Sequence, residues 1–374
     1  MNILQVVKYY YPHLGGVEAY TREIVLGLKD RTDISLEVLT ANIAACTAHD
    51  LVDGVKVTRI ARYGELFSVP ICPAFPLALW TKRPDIIHFQ MPFPLAEFSE
   101  ILFPKRAKIV VSWHSDIVKQ VLQRKVFEPF LYRFLERVDK ILVATPNHIS
   151  SSLYLPRYKE KCAIVPYGID FSRFDQIAPD DPKVLALKKR HGGGFVLFVG
   201  RLVYYKGVEY LIRAMKDVAD RLVIIGDGPL KQKLLDQIET LGLGNKIEIL
   251  DSIKGDEIAY YYHACDMFVL PSIANSEAFG IVQVEAMACH KPVITTDLPT
   301  GVTYVNQKDQ TGLVVPVQDS VALARAITEL NNDPQKRRLL GYNGGKRARQ
   351  LYNKADLARN IYGIYDSLMK GATK

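Results

Sequence analysis

The sequence predicts an α/β protein of two doubly wound, Rossmann-like parallel-sheet domains facing a central cleft. Three observations predict it. Short runs rich in Val, Ile and Leu alternate with longer amphipathic stretches from end to end. The alternation restarts after a polar segment containing two prolines, Pro179 and Pro182. No apolar run is long enough to span a bilayer. A chain of 374 residues suffices for two domains of ordinary size.

The first series of strands is expected at 3–7, 35–39, 86–89, 108–111 and 141–144. Each run is apolar on both faces, as strands are when helices cover both sides of a parallel sheet. Amphipathic stretches at 17–28 and 118–138 supply helices. The second series is expected at 195–199, 222–225, 246–250, 267–270 and 292–295, with helices at 208–218, 230–241 and 281–289. The polar break at 177–183 puts the domain boundary at 178, giving domains 1–178 and 179–354. The tail 355–374 carries one more amphipathic helix, which has a face to pack on either domain.

Composition narrows the function classes. The net charge of +8 suits an acidic ligand, an anionic membrane surface or nucleic acid, with a solvated basic face as the plain alternative. No aromatic ladder interleaved with basic residues stands out as a nucleic-acid site. Cys46, Cys72, Cys162, Cys265 and Cys289 are scattered without a C-x-x-C pair. That spacing argues against a disulfide framework or a zinc site and fits a reducing cytoplasm. The opening residues run straight into a polar segment, which predicts no signal peptide.

Candidate site residues fall where strands are expected to end. Gly15 and Gly16 follow the first strand and precede a helix, where two glycines admit a ligand close to the backbone and first-turn amides favour an anion. A simple tight turn explains them equally. Neither domain opens with the G-x-G-x-x-G dinucleotide fingerprint, which disfavours an oxidoreductase. Gly200-Arg-Leu-Val-Tyr-Tyr-Lys-Gly207 follows the first strand of the second domain. Arg201 and Lys206 there are suited to neutralise a diphosphate and to stabilise it as its bond to a sugar breaks; two surface cations is the alternative. Gly226, in Gly226-Asp-Gly-Pro229, ends the next strand as either a close-approach glycine or a plain turn.

The richest segment is 271–285. Glu277 lies just before a helix, and the amides of Phe279, Gly280 and Ile281 sit at its start, placed to meet phosphate or sugar oxygens. Glu285, flanked by Val284 and Ala286, has the reach to accept from both hydroxyls of a ribose. An acid complementing the helix dipole would explain Glu277 but not Glu285. In the first domain, Trp113-His114-Ser-Asp116 follows a strand, so His114 is expected to meet the cleft from the other side, as a hydrogen-bonding group, an acid or a base. A structural histidine is the alternative. Residues 93–103 and 123–140 mix aromatic, aliphatic and basic residues, which suits an anionic bilayer or a pyrophosphate-linked acceptor as well as an ordinary solvated helix face.

Taken together these motifs resemble glycosyltransferase family 4, retaining enzymes of the GT-B fold. The resemblance spans nearly the whole chain. Pro12-x-x-Gly-Gly-Val-Glu18 is similar to the family's first glycine loop, and Ile164-Val-Pro-Tyr-Gly-Ile-Asp170 to the segment closing its first domain. Arg201 with Lys206 matches its phosphate-binding pair, and Glu277 with Glu285 its E-x7-E glutamates. The stretches 298–307 and 311–316 resemble bacterial polysaccharide-assembly mannosyltransferases.

The resemblance implies a retaining, metal-independent hexosyltransferase without a cofactor. His114 would contact the transferred sugar, Arg201 and Lys206 the diphosphate, and Glu277 the sugar together with the backbone at Phe279 and Gly280. Glu285 would hold the ribose, and the loop at Ser252 and Ile253 would lie by the base. The C-terminal helix would cross back onto the first domain. The expected reaction moves mannose from GDP-mannose to a glycan or polyprenyl-pyrophosphate-linked acceptor in polysaccharide synthesis. Alternatives are a UDP-sugar-dependent glucosyl or GlcNAc transferase of the same fold and a nucleotide-sugar epimerase. The expected setting is the cytoplasm, with peripheral contact to the anionic inner face of the cell membrane and no nucleic-acid partner. No strand-end Asp-x-Asp motif is present, in keeping with side-chain cations in place of a metal.

Overall fold

Apolar runs buried on both faces pair in parallel in the computed structural model, which describes residues 1–13, 15–116, 121–251, 253 and 255–371, with the backbone alone for 121–126. The chain divides into two compact units, Met1–Tyr167 with Lys354–Lys374, and Gly168–Asn353. The division lies upstream of the polar break because Phe171, Phe174 and Ile177 are buried in the second unit. The His263 imidazole also bonds the Phe174 carbonyl at 3.0 Å. The polar break itself only starts a helix, Pro182–Arg190, capped by the Asp181 carboxylate accepting from the Lys183 amide.

In the first unit the strands are β1 (Asn2–Val7), β2 (Ser35–Ala41), β3 (Ala48–Val52), β4 (Val55–Ile60), β5 (Glu65–Leu66), β6 (Val69–Pro70), β7 (Ile86–Met91), β8 (Lys108–Trp113), β9 (Lys140–Val143) and β10 (Cys162–Ile164). Eight of them form one sheet in the order β10-β9-β8-β7-β1-β2-β4-β3, while β5 and β6 pair separately. The sheet is parallel except where β3 runs antiparallel to β4. That hairpin departs from the all-parallel expectation. Its turn is Asp53-Gly54, with φ of 52° and 83°, the left-handed pair that a two-residue hairpin demands. Arg22 holds Asp53 with two hydrogen bonds, at 2.8 and 3.0 Å.

Each face of this sheet carries its own core. On one, Phe75, Phe93 and Phe134 belong to the helices and loops of 75–137. On the other, Ile24 and Val25 of the helix Gly16–Leu28 pack with Leu357, Ile361 and Tyr365 of the C-terminal helix Lys354–Gly371. Gly27 makes that docking close. A Cβ added there would lie 2.4 Å from the Ala358 Cβ.

The second unit has β11 (Val196–Val199), β12 (Leu222–Ile225), β13 (Ile247–Leu250), β14 (Met267–Leu270), β15 (Val293–Thr296) and β16 (Gly312–Val315), all parallel in the order β13-β12-β11-β14-β15-β16. The order places β12, β11 and β14 side by side. The loops leaving their C-terminal ends, which carry Gly226, Arg201 with Lys206, and Glu277, are therefore neighbours.

Candidate functional site

In the second unit, three loops are sewn together by glycines. Lys206 ends a short 3₁₀ turn after β11, and Gly207 follows with φ of 62°. A Cβ on Gly207 would lie 2.2 Å from the Pro271 carbonyl oxygen, so only glycine lets the turn dock on the loop after β14. The Ile273 amide donates to the Tyr205 carbonyl at 2.8 Å across the same seam. Gly226 meets the Gly200 carbonyl oxygen, 1.9 Å from where a Cβ would stand. Loop packing alone therefore accounts for Gly226.

This docking sets Lys206 against Glu277. The ammonium lies 2.5 Å from the Glu277 Oε2, with the two side chains 10% and 9% exposed. The Ser272 hydroxyl donates to the same oxygen at 2.9 Å, and the Thr300 hydroxyl donates to the Glu277 carbonyl at 2.8 Å. A buried ion pair is retained only where further hydrogen bonds compensate its lost hydration. Arg201 leaves the same strand end with an exposed side chain, apart from the buried pair.

Beyond Glu277 the chain enters the helix Ile281–Ala288 through Gly280, at φ of 69°. Phe279 anchors the entry. Its ring is buried and meets Tyr352 edge-on at 5.6 Å. In the first turn the Gln283 amide bonds the Gly280 carbonyl at 2.9 Å, and the start of such a helix is the usual setting for an anion or a hydroxyl oxygen. Glu285, half-buried on the helix, accepts from the Tyr262 phenol at 2.7 Å. Burial raises the Glu285 pKa, against the opposing pull of the Tyr262 hydrogen bond. Ile253 lines a cavity of about 700 Å³ with Lys183, Leu187, Arg190, Tyr260 and Tyr261. Ser252 lies outside the described residues.

In the first unit, His114 follows β8 and is 8% exposed. Its Nε2 meets the Gln90 Oε1 at 3.0 Å, and its Nδ1 meets the Tyr167 hydroxyl at 2.7 Å. Gln90 turns its amide nitrogen to the Gln5 Oε1 at 3.2 Å, so its oxygen faces the histidine. Nε2 therefore carries the proton, and Nδ1 accepts from Tyr167. Burial pushes the His114 pKa down to about 3, helped by nearby His148. The ring is neutral and fully engaged, an environment for a hydrogen-bonding group and not for an acid. Gln5, His88, Ser112 and Tyr365 extend this buried polar layer to the C-terminal helix. At the first glycine pair, the Glu18 carboxylate folds over Gly15. A Cβ there would lie 2.3 Å from its Oε2, so a resident acid already stands by the amides expected to take an anion.

Comparison with known proteins meets these two units one by one. The family described as Glycosyltransferase Family 4 matches residues 14–173, and that of Glycosyl transferases group 1 matches residues 183–347. The chain is 30% identical to the O-antigen chain mannosyltransferase C of Escherichia coli over 374 residues, 99% of both chains. It belongs to the group 1 glycosyltransferases. This transferase is also 34% identical over 268 residues to the D-rhamnosyltransferase WbpZ of Pseudomonas aeruginosa, covering 72% of the chain and 70% of the relative. Its fold is GT-B. A sucrose-phosphate synthase from Thermosynechococcus elongatus shares it with a TM-score of 0.81 at 22% identity, over 99% of this chain and 100% of that one.

Sequence reasoning about the transferase missed the groups that hold the predicted ones. Ser272 and Thr300 fasten Glu277, Tyr262 fastens Glu285, and Gln90 and Tyr167 fasten His114. Ser272 lay in the segment 271–285, Thr300 in 298–307 and Tyr167 in 164–170, all already singled out, whereas Tyr262 and Gln90 lay in none of them. Among the described residues there is no cluster of three or more His, Cys, Asp or Glu side chains arranged to hold a metal ion. Also among them, no helix is long and apolar enough to cross a membrane.

Proposed function

We propose that this transferase moves mannose from GDP-mannose, with retention of configuration and without a metal ion. The acceptor is a glycan or a polyprenyl-pyrophosphate-linked glycan of a cell-envelope polysaccharide, and the enzyme works in peripheral contact with an anionic bilayer. The observation that carries the reading is the buried Lys206–Glu277 pair at the C-terminal ends of neighbouring strands. Each partner stands in for a substrate group. As donor enters, the Lys206 ammonium exchanges the carboxylate for diphosphate oxygens, and Glu277 turns to sugar hydroxyls. Arg201 adds a second cation from the exposed side.

The chemistry follows from where charge develops. The bond from the anomeric carbon to the phosphate oxygen breaks, and its electrons go to the diphosphate. Lys206 and Arg201 stabilise that growing charge more than the ground state. The acceptor hydroxyl attacks the same face, and its proton passes to the departing phosphate oxygen, so no protein base is required. The amides of Phe279, Gly280 and Ile281 orient the sugar and phosphates, and Glu285 holds the ribose. His114, neutral, accepts a sugar hydroxyl at Nδ1 in place of the Tyr167 phenol. An epimerase needs an acid and a base at the sugar, and a neutral, doubly bonded His114 does not supply them.

Mannose is favoured by the name of a relative that this chain covers end to end, the O-antigen chain mannosyltransferase C. The test is a thermal-shift screen of GDP-mannose against UDP-glucose, UDP-GlcNAc and an ADP-sugar, followed by assignment of the product's anomeric configuration and an assay in EDTA. Stabilisation by a UDP-sugar and not by GDP-mannose overturns the donor. A β-linked product overturns retention. Activity lost in EDTA and restored by Mg²⁺ overturns metal independence.

A further inference from the structure

The helix Pro94–Leu102 is amphipathic in the inverted sense. Its buried positions include Glu97 and Glu100, 1% and 0% exposed, while Phe98 and Leu102 are 40% and 51% exposed. A helix in water normally does the opposite, because a buried carboxylate loses its hydration and an exposed phenyl ring gains unfavourable contact with water. The acids are held inward by specific bonds. The Phe93 amide donates to the Glu97 Oε1 at 2.9 Å. The Glu100 Oε1 accepts from the Lys105 amide at 2.9 Å and from Arg137 at 3.1 Å.

The outward apolar residues do not stand alone. Phe98 meets Phe130 edge-on at 5.7 Å. Phe103, just after the helix, lies 6.1 Å from Trp80 of the helix Phe75–Thr81, and Leu77 is one turn before Trp80 on that helix. Leu77, Trp80, Phe103 and Phe130 are 57%, 46%, 37% and 40% exposed. Six large apolar side chains exposed to this degree present on the order of 500 Å², at the upper end of what monomeric proteins leave in water.

The rim is mainly cationic. The Arg83 guanidinium lies 5.9 Å from the Trp80 ring centroid. The Lys105 ammonium donates to the Trp80 and Lys82 carbonyls at the edge of the patch. Arg106 and Arg133 are exposed, the latter one turn from Phe130. Of the three helices that carry the patch, Phe75–Thr81 and Pro94–Leu102 have no acid other than the buried pair, while Val121–Arg137, which carries Phe130, has Glu128, engaged by the Tyr154 phenol at 3.1 Å, and Glu136, paired with Arg157 at 3.3 Å.

We propose that this face, built from Leu77, Trp80, Phe98, Leu102, Phe103 and Phe130 inside a rim of Arg83, Lys105, Arg106 and Arg133, docks on an anionic lipid bilayer. The apolar centre enters the boundary between headgroups and acyl chains, and the rim meets the phosphates. Tryptophan and phenylalanine suit that depth, where an apolar body and a wet edge coexist. A second copy of the chain is a poorer occupant, since a two-fold contact would set cationic rim against cationic rim. This extends the bilayer contact of the functional reading by assigning its surface, and its test needs neither donor nor acceptor. Failure of docking and failure of transfer are thus read separately.

The full chain is mixed with phosphatidylcholine vesicles with and without phosphatidylglycerol and sedimented. Binding is expected to be roughly tenfold stronger to the anionic vesicles and to weaken with salt. Trp80→Ser/Phe98→Ser and Arg83→Glu/Arg106→Glu are each expected to lose roughly tenfold or more while melting like the parent. Of the two tryptophans, Trp113 is 4% exposed, so the emission blue shift on binding belongs to Trp80 and disappears in Trp80→Phe. Three results overturn the proposal: a folded parent that ignores anionic vesicles, binding unchanged in both double variants, or a parent dimer that Trp80→Ser/Phe98→Ser converts to monomer.

Discussion

Replacing Lys206 by alanine acts on stability and on chemistry at once, and the two effects can be separated. The ammonium sits 2.5 Å from the Glu277 carboxylate, and both side chains are about nine-tenths buried. Removing one partner of a buried pair typically costs 3–5 kcal/mol, because the remaining charge stays desolvated. Here the Ser272 hydroxyl still donates to Glu277, which puts the cost near the low end, about 3 kcal/mol. For a unit of this length that lowers Tm by about 6–12 °C. Adding Glu277→Gln removes the stranded charge while keeping an acceptor for Ser272, and is expected to recover about 2 kcal/mol of the loss. Activity does not recover. Loss of a cation stabilising the departing diphosphate costs about 10²–10³ in turnover, and the double variant stays at least that slow. Thermal melts of the parent, both single variants and the double variant give the first quantity. Release of nucleoside diphosphate from the preferred donor gives the second. A double variant as unstable as Lys206→Ala would refute the argument that the pair is mutually compensating. Unchanged turnover in Lys206→Ala would remove it from the chemistry.

Three further outcomes follow from side-chain burial and pairing. Burial holds His88 and His114 near a pKa of about 3 and His148 near about 4. The unfolded chain binds protons near pH 6.5 that the folded chain refuses, so stability is complete above pH 6.5 and falls as pH drops toward 3. At pH 5 each contributes on the order of 2 kcal/mol of loss, and acid melts that stay flat from pH 7 to 4 would contradict the buried, neutral layer. Glu97, raised to about 8 by burial, works in the other direction, its stabilisation being complete below pH 4.5 and lost as pH rises through 8. Glu97→Gln is therefore expected to raise Tm relative to the parent at pH 8 and not at pH 5. Tyr262→Phe removes the phenol that donates to Glu285 at 2.7 Å. Donor KM is expected to rise roughly fivefold with kcat little changed, because a ribose contact acts equally in ground and transition states. An unchanged donor KM would detach Glu285 from ribose binding.

Strands, and the motifs at their ends, were legible because periodicity is a local property of the chain. A run apolar on both faces, such as Leu222–Ile225 or Met267–Leu270, needs only its own residues to declare itself. Gly207 and Gly280 were likewise marked by position, and both take left-handed backbone at the turns that begin helices. The β3–β4 hairpin had its signal too, in Asp53-Gly54, but its polar, exposed β3 hid the strand from a search for apolar runs. What no local pattern contains is the partner. Glu277 finds Lys206 because β11 and β14 happen to be neighbours in the sheet, and Glu285 finds Tyr262 from the helix Glu257–Ala264. His114 becomes a neutral acceptor because Gln90 and Tyr167 close on its two nitrogens. Gly27 and Ala358 decide that the last helix belongs with the first unit. The sequence by itself determined which groups stand at which strand ends. Burial, protonation and pairing were decided only by the tertiary structure, since each depends on residues that become neighbours when the sheets order their strands.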